Sequence, residues 1–457
     1  MTRLKAVAAL LVIALLWPAF ASGLSISEEA KEGQKFKVLL RRLGGLAQDP
    51  VANVYLSSIG RALAAQAGPM PFQPSFYLGA DKELNAFAGP GAVIVLTEGL
   101  ALTMDSVDEL AAVLGHELAH AAHRHIAQQM DQQAKVGLAT LGGVLAGVLA
   151  GAATGSPELS QAITLGSVAT GLSKMLAYSR DQEFEADQVG WRYAEAAGYD
   201  VRAGLVILEK IRRASNLMGP NPPPYLTTHP ALDDRIAFLS NLHPESSAQP
   251  NRAGEADFPW FKARLLARSP QGQQNFKGQE GPLALYGQGL IALKANRVAE
   301  AVSLLGQAYQ QAPEALGVAY SYAQALRLAS RRDEAVEALR RYLPYKPDDP
   351  AVLLFLGQLY LEAKKPDKAL ESLKEAAKLV PDDPEILRQM GVAHGQAGQL
   401  SEAHLSLAWA FTWQGERDKA LRNFELALSK AADPLRRDEV IKARQAALEI
   451  LGPPPMQ

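Results

Sequence analysis

Cysteine is absent from all 457 residues. That absence excludes a disulfide framework, a thiolate metal site, a cysteine nucleophile and lipidation at an N-terminal cysteine. An excess of either charge is missing too: 46 Lys and Arg stand against 48 Asp and Glu, a formal net charge of −2. A chain so balanced offers no electrostatic footprint for nucleic acid. Long lipophilic runs are scarce. The first apolar run, Ala6 to Leu16, is shorter than the roughly 20 residues a spanning helix needs. It follows Arg3 and Lys5 and leads to Ala19-Phe20-Ala21, so residues 1–21 read as a secretory signal cleaved after Ala21. Export without cysteine fits a bacterial periplasm. What the chain does have is core material, 48% hydrophobic residues, and a length that suggests two or three domains.

The stretch around which the rest is organised is Gly115-His116-Glu117-Leu118-Ala119-His120. Ser106 and Glu109 form a candidate capping box. Leu110, Val113, Leu114, Leu118 and Ala121 follow at helical spacing. On such a helix His116 and His120 are i and i+4 and share one face. Two imidazoles so placed can ligate one Zn²⁺, with Glu117 beside the open position. The chemistry implied is metal-assisted hydrolysis, with Glu117 as general base. A third ligand is sought downstream, in Ser179-Arg180-Asp181-Gln182-Glu183-Phe184-Glu185-Ala186-Asp187. Glu183 on a second helix would complete a His₂Glu set. Asp187, one turn on, would accept the spare N–H of a ligating histidine. Taken alone, the same stretch also reads as a solvated charged helix face.

The two segments together resemble the zinc metallopeptidase family of the HtpX-type heat-shock proteases and CAAX-prenyl endopeptidases. Asn85-Ala86-Phe87-Ala88 and Thr228-His229-Pro230, followed by Arg235-Ile236, match that family's flanking motifs in order. The resemblance covers about residues 28–240. It implies one Zn²⁺ held by His116, His120 and Glu183, and a substrate strand laid along Asn85–Ala88. It implies that Arg235 stabilises the oxyanion. His229 would do likewise or swing onto the zinc as a fourth ligand. His123, His125, His243, His394 and His404 are read as surface or packing residues.

Other segments fill in the frame. Residues 27–68 read as two helices broken at Asp49-Pro50. Phe76–Leu78 and Ala92–Leu96 read as strands joined through Gly89-Pro90-Gly91. Residues 136–157 carry no charge and are rich in Gly and Ala. Their length would span a bilayer, but they are only weakly lipophilic. With 161–173 they read as a helical hairpin or lid, touching a membrane surface over 136–173. Residues 241–275 are polar with scattered Pro and Gly, a linker in which Trp260 and Phe261 pack against either neighbour. Beyond it Ala301, Ala335, Ala369 and Ala403 recur every 34 residues, as do Gly289, Ala323, Gly357 and Gly391, and Pro313, Pro347 and Pro381. This is the tetratricopeptide period, about four repeats with capping helices. Such repeats stack into a solenoid that binds peptides or proteins.

The expected fold is mainly α with a small β-sheet: an HExxH zincin-like metalloprotease domain followed by an α-solenoid. The expected organisation is signal 1–21, metallopeptidase domain 22–245, linker 246–275 and repeat domain 276–457. The expected function is an exported zinc endopeptidase whose repeats recruit protein clients. The resemblance implies misfolded or stalled outer-membrane proteins at their barrel assembly machinery. The alternative is a periplasmic chaperone or assembly adaptor with a normally latched protease site.

Overall fold

The computed structural model describes residues 24–135, 177–218, 222–242, 249–250 and 252–452. The signal read over 1–21, the Gly/Ala segments at 136–157 and 161–173, and His243 lie outside the described residues. Among the described residues no helix is long and apolar enough to cross a membrane.

Among the described residues two helices come first, α1 (Ile26–Arg42) and α2 (Pro50–Ala64). Ser25 caps α1 in a full capping box with Glu28. Asp49 caps α2, and Pro50 sits at its first turn, where a missing N–H costs nothing. A three-stranded sheet follows: β1 (Ser75–Gly79), β2 (Ala86–Gly89) and β3 (Val93–Thr97), in the order β1-β3-β2. β1 runs parallel to β3 and β2 antiparallel to it. The sequence suggests two strands where three form. Ala-Phe-Ala-Gly has little strand propensity of its own, and pairing with β3 together with full burial draws it into the sheet. β2 is therefore an edge strand beside the next long helix.

That helix, α3 (Val107–Ala122), carries the two histidines, and α4 (His125–Lys135) follows after a sharp break. Ser106 accepts from Glu109 N at 3.2 Å. The expected capping box closes only one way, because the Glu109 carboxylate bonds Asp105 N and Lys210 instead. α5 (Arg180–Ala196) has the complete box, Ser179 with Gln182. This half of the fold is finished by α6 (Arg202–Met218), the short α7 (Pro224–Thr228) and α8 (Leu232–Leu242).

Within the span read as linker lies a buried helix, α9 (Phe258–Arg268). Phe261 packs on Tyr55 of α2 at 4.7 Å between ring centroids, and Trp260 on Tyr286 of the repeats at 5.6 Å. Arg264 grips buried Asp49 at 2.7 Å and also reaches Tyr286 and Ser321. One helix thus staples the cap of α2 to the solenoid.

The solenoid runs through ten helices: α10 (Pro282–Lys294), α11 (Val298–Gln311), α12 (Val318–Leu328), α13 (Arg332–Tyr342), α14 (Pro350–Glu362), α15 (Pro366–Leu379), α16 (Pro384–Gln396), α17 (Leu400–Gln414), α18 (Arg417–Lys430) and α19 (Pro434–Leu451). The periodic small residues sit where helices cross. A Cβ on Gly289, Gly357 or Gly391 would lie 2.5, 2.6 or 2.7 Å from Leu305, Leu373 or Leu407. One apolar cluster runs from α2, α3 and α9 into Tyr320, Leu339 and Phe355, so the two halves share a core. α1 packs on α17 and α19.

Candidate metal centre

α3 and α5 cross at two glycines. A Cβ on Gly190 would meet Gly115 C and His116 N at 2.7 Å, and a Cβ on Gly115 would meet Gly190 O at 2.8 Å. Only backbone without side chains allows this approach. It brings the faces bearing His116 and His120 against Glu183 and Asp187.

Four side chains then converge. His116 Nε2 lies 3.0 Å from His120 Nε2 and 3.6 Å from Glu183 Oε2. His120 Nε2 lies 3.3 Å from Glu183 Oε1. His229, delivered by α7, places Nδ1 3.0 Å from Glu183 Oε1 and 3.3 Å from His116 Nε2. One ligand atom from each of the four lies within 4.8 Å of all the others, and all four residues are buried. Packing three imidazoles and a carboxylate in an apolar interior is costly unless a shared cation compensates them. The donor set, nitrogen and carboxylate oxygen without thiolate, suits Zn²⁺. The residues present fit such an ion.

Each ring nitrogen turned into the cluster has a sibling with its own partner. His116 Nδ1 is 2.9 Å from Asp187 Oδ1. His120 Nδ1 is 2.9 Å from His125 Nδ1. His229 Nε2 is 3.2 Å from the Ala86 carbonyl oxygen of β2. Partners of this kind fix ring tautomer and orientation. Tyr225 stacks on His229 at 4.4 Å, and Tyr178 stacks on His120 at 3.6 Å, so the rings are caged.

Glu117 is fully buried, and neither carboxylate oxygen has a hydrogen-bond partner; His229 Nε2 stands 3.4 Å from Oε1. Burial pushes its carboxyl above the usual range, against the pull of His229 and His116. Glu183 shows the opposite outcome. Burial alone would raise it, but His229, Arg235 and His120 hold it well below the usual carboxylate range. Burial holds His120 well below the ordinary imidazole value, a shift that favours its neutral form. One carboxylate kept ionised and one poised to take a proton is the division of labour that acid–base chemistry needs.

Arg235 meets two carboxylates of the cluster. Its Nε and Nη2 donate to Asp187 at 2.7 Å, and Nη1 lies 2.5 Å from Glu183 Oε2. Only 1% exposed, it stands behind the cluster, with Nε and Nη2 committed to Asp187 and Nη1 facing Glu183 without a well-formed hydrogen bond.

The edge strand is capped. The outward carbonyls of β2 belong to Ala86 and Ala88, because Asn85 O already accepts from Thr97 N and Phe87 lies opposite Val95. Ala86 O meets His229 Nε2, and Ala88 O accepts from the Tyr178 hydroxyl at 3.2 Å. Asn85 is buried with neither side-chain polar atom partnered. Of the centre's neighbours, Tyr178, His125 and Glu185 are those that sequence reasoning missed. Tyr178 directly precedes the Ser179 cap and His125 opens α4, positions that carry no periodic signal.

The model of peptidase family M48 matches residues 50–243. Models described as tetratricopeptide repeat or TPR repeat match 263–316, 292–359 and 357–398. A beta-barrel assembly-enhancing protease of Yersinia pestis is 30% identical over 301 residues, covering 64% of this chain and 61% of that protein. The beta-barrel assembly-enhancing protease of Escherichia coli K12 is 30% identical over 291 residues, 61% of this chain and 59% of that protein. The chain spans about six-tenths of the length of these curated relatives. The solved structure "MamA MSR-1 C2" aligns with 35% of this chain and 97% of its own, at 20% identity and a TM-score of 0.30.

Proposed function

We propose that this chain, a peptidase family M48 domain followed by tetratricopeptide repeats, is an exported zinc-dependent endopeptidase at rest in a self-latched state. The observation that carries the reading is the convergence of His116, His120, Glu183 and His229 beside an unpartnered Glu117. His116, His120 and Glu183 would hold the ion, and His229 would fill its fourth position at rest. When bound, the ion supplies Lewis acidity toward a scissile carbonyl and its attacking water.

The remaining work falls to the chain. Glu117 takes a proton from the attacking water and returns it to the leaving amide nitrogen; its raised affinity for protons suits both halves of that cycle. A substrate strand would add to β2 at Ala86 and Ala88 and hydrogen-bond the free Asn85 carboxamide. For that to happen the His229 ring must leave the Ala86 carbonyl, and the Tyr178 hydroxyl must leave Ala88. Departure of His229 opens the fourth ligand position and the Ala86 carbonyl together. Asp187 and Arg235 hold His116 and Glu183 in place throughout.

The names of the relatives, together with the leader-like residues 1–21, support outer-membrane β-barrel proteins as clients and the periplasm as the compartment. The repeats would recruit those clients or their assembly machinery. The second reading, a chaperone or assembly adaptor that rarely cuts, is favoured by the capped strand edge alone. Glu117→Gln separates the two. We expect the variant to keep one zinc per chain and to lose casein cleavage by at least a thousandfold. Unchanged zinc-dependent cutting would sink the proteolytic mechanism; a wild type that binds zinc and never cuts would favour the adaptor.

A further inference from the structure

α3 ends at Ala122, and Arg124 takes a left-handed conformation, φ 54°. The turn swings His125, the first residue of α4, back beneath His120. His125 is 1% exposed. Its Nδ1 faces His120 Nδ1 at 2.9 Å, and its Nε2 lies 3.1 Å from Glu185 Oε2. The other oxygen of the same carboxylate, Oε1, lies 2.8 Å from His123 Nδ1. Two imidazole nitrogens and a carboxylate oxygen thus come within 4.8 Å of one another, separate from the four residues of the first centre. His123 and Glu185 line an open groove with Asp181 and Gln188, which gives an ion a path in from solvent. Two nitrogens and one carboxylate oxygen with an open side are a Zn²⁺-type donor set.

We propose that His123, His125 and Glu185 form a second divalent-metal site, and that filling it weakens the first. The coupling follows from counting protons. Two neutral imidazoles, His120 and His125, carry two protons between them. One lies in the Nδ1–Nδ1 hydrogen bond. The other sits either on His120 Nε2 or on His125 Nε2. Only one of the two outward nitrogens therefore offers a lone pair while the bond is kept. With an ion on His120 Nε2, His125 Nε2–H donates to Glu185 and braces the first centre. With an ion on His125 Nε2, the proton moves to His120 Nε2 and removes a ligand from the first centre. Filling both requires the histidine pair to part. Linkage makes the antagonism mutual. The coupling rests on His120 being a ligand of the first centre, whereas the second site does not.

The test is equilibrium dialysis of the full chain against Co²⁺, with visible absorption and the off-rate of the tight ion read alongside. In His116→Ala/Glu183→Gln, where the first centre is broken, one Co²⁺ per chain is expected, with at least a tenfold loss of affinity on adding His123→Ala. In the wild type one tight ion is expected. Its off-rate should rise at least tenfold as excess Co²⁺ fills the second site, and His123→Ala should abolish that rise. A folded double variant that binds no ion overturns the second site. Should that variant not fold, the wild type and His123→Ala decide by the off-rate alone, and an off-rate indifferent to excess metal overturns the proposal. Failure of the proposed function reads differently, as a wild type without a tight ion at the first centre.

Discussion

Arg235 shows how one buried side chain ties two carboxylates of a cluster together. It neutralises Asp187 and Glu183, both buried, and through them sets His116. Removing a partner from a buried ion pair strands the charges that remain. Arg235→Ala should therefore lower stability by about 3–5 kcal/mol, seen as a fall in thermal midpoint. Arg235→Lys should recover less than half of the loss, because a point charge cannot reproduce the bidentate fork on Asp187. Full recovery by lysine would show that charge alone matters. At this scale the sequence was informative where motifs are local. Spacing and resemblance point to His116, His120, Glu183, Asp187, His229 and Arg235, and the fold brings these six together. His125 was not legible, since its approach to His120 depends on the left-handed turn at Arg124. The pairing of Arg235 with Asp187 and Glu183 is not legible either, because nothing in the sequence says which carboxylates its guanidinium will meet.

Among elements, the crossing of α3 and α5 decides whether a centre exists. Gly115 precedes His116 directly, and Gly190 lies one turn beyond Asp187. Gly190→Ala places a methyl 2.7 Å from α3 backbone, which has no flexible atoms to yield. The helices must separate by a good fraction of an ångström. We expect metal affinity to fall at least tenfold with helical content unchanged, as isothermal titration and circular dichroism would report. Affinity equal to wild type would mean the centre tolerates a wider crossing. The HExxH helix, the second ligand helix and the repeats were legible because each has periodicity or caps of its own. β2 was not, since its strand character comes from pairing with β3 and not from Ala-Phe-Ala-Gly. The helix α9 was hidden by its polar surroundings, though Phe258, Phe261 and Leu265 supply it with an apolar face.

Across the whole molecule the solenoid is not an appendage. α1 lies against α17 and α19, with Lys37 2.6 Å and Arg41 3.6 Å from Asp382, and both cations near the Trp413 ring. Part of the repeat surface is thus occupied by the chain's own α1. Burial would raise the Asp382 carboxyl, but Arg41 and Lys37 hold it below the usual value. A depressed carboxylate contributes stability above its unfolded value, and that contribution is lost as pH falls through the folded one. Asp382→Asn should accordingly cost about 1–3 kcal/mol at pH 7. The gap from wild type should begin to narrow below about pH 4, the unfolded value, and close only as pH falls through the lower folded one. Thermal midpoints of both chains across that range check the sign. A gap that persists in acid would mean that Asp382 acts through packing and not charge. The 34-residue period made the solenoid readable from sequence. Its docking on the peptidase domain was not, because Lys37 and Asp382 are paired only by the tertiary fold.

The measurement that bears most directly on a self-latched peptidase is the rate of casein cleavage by His229→Ala beside wild type, both shown to hold one zinc per chain. Removing the ring frees the fourth ligand position and the Ala86 carbonyl at once. The account predicts faster cleavage by His229→Ala, by roughly tenfold or more if the latched state dominates at rest. Slower cleavage would contradict it, and would make His229 a stabiliser of the transition state in place of a latch.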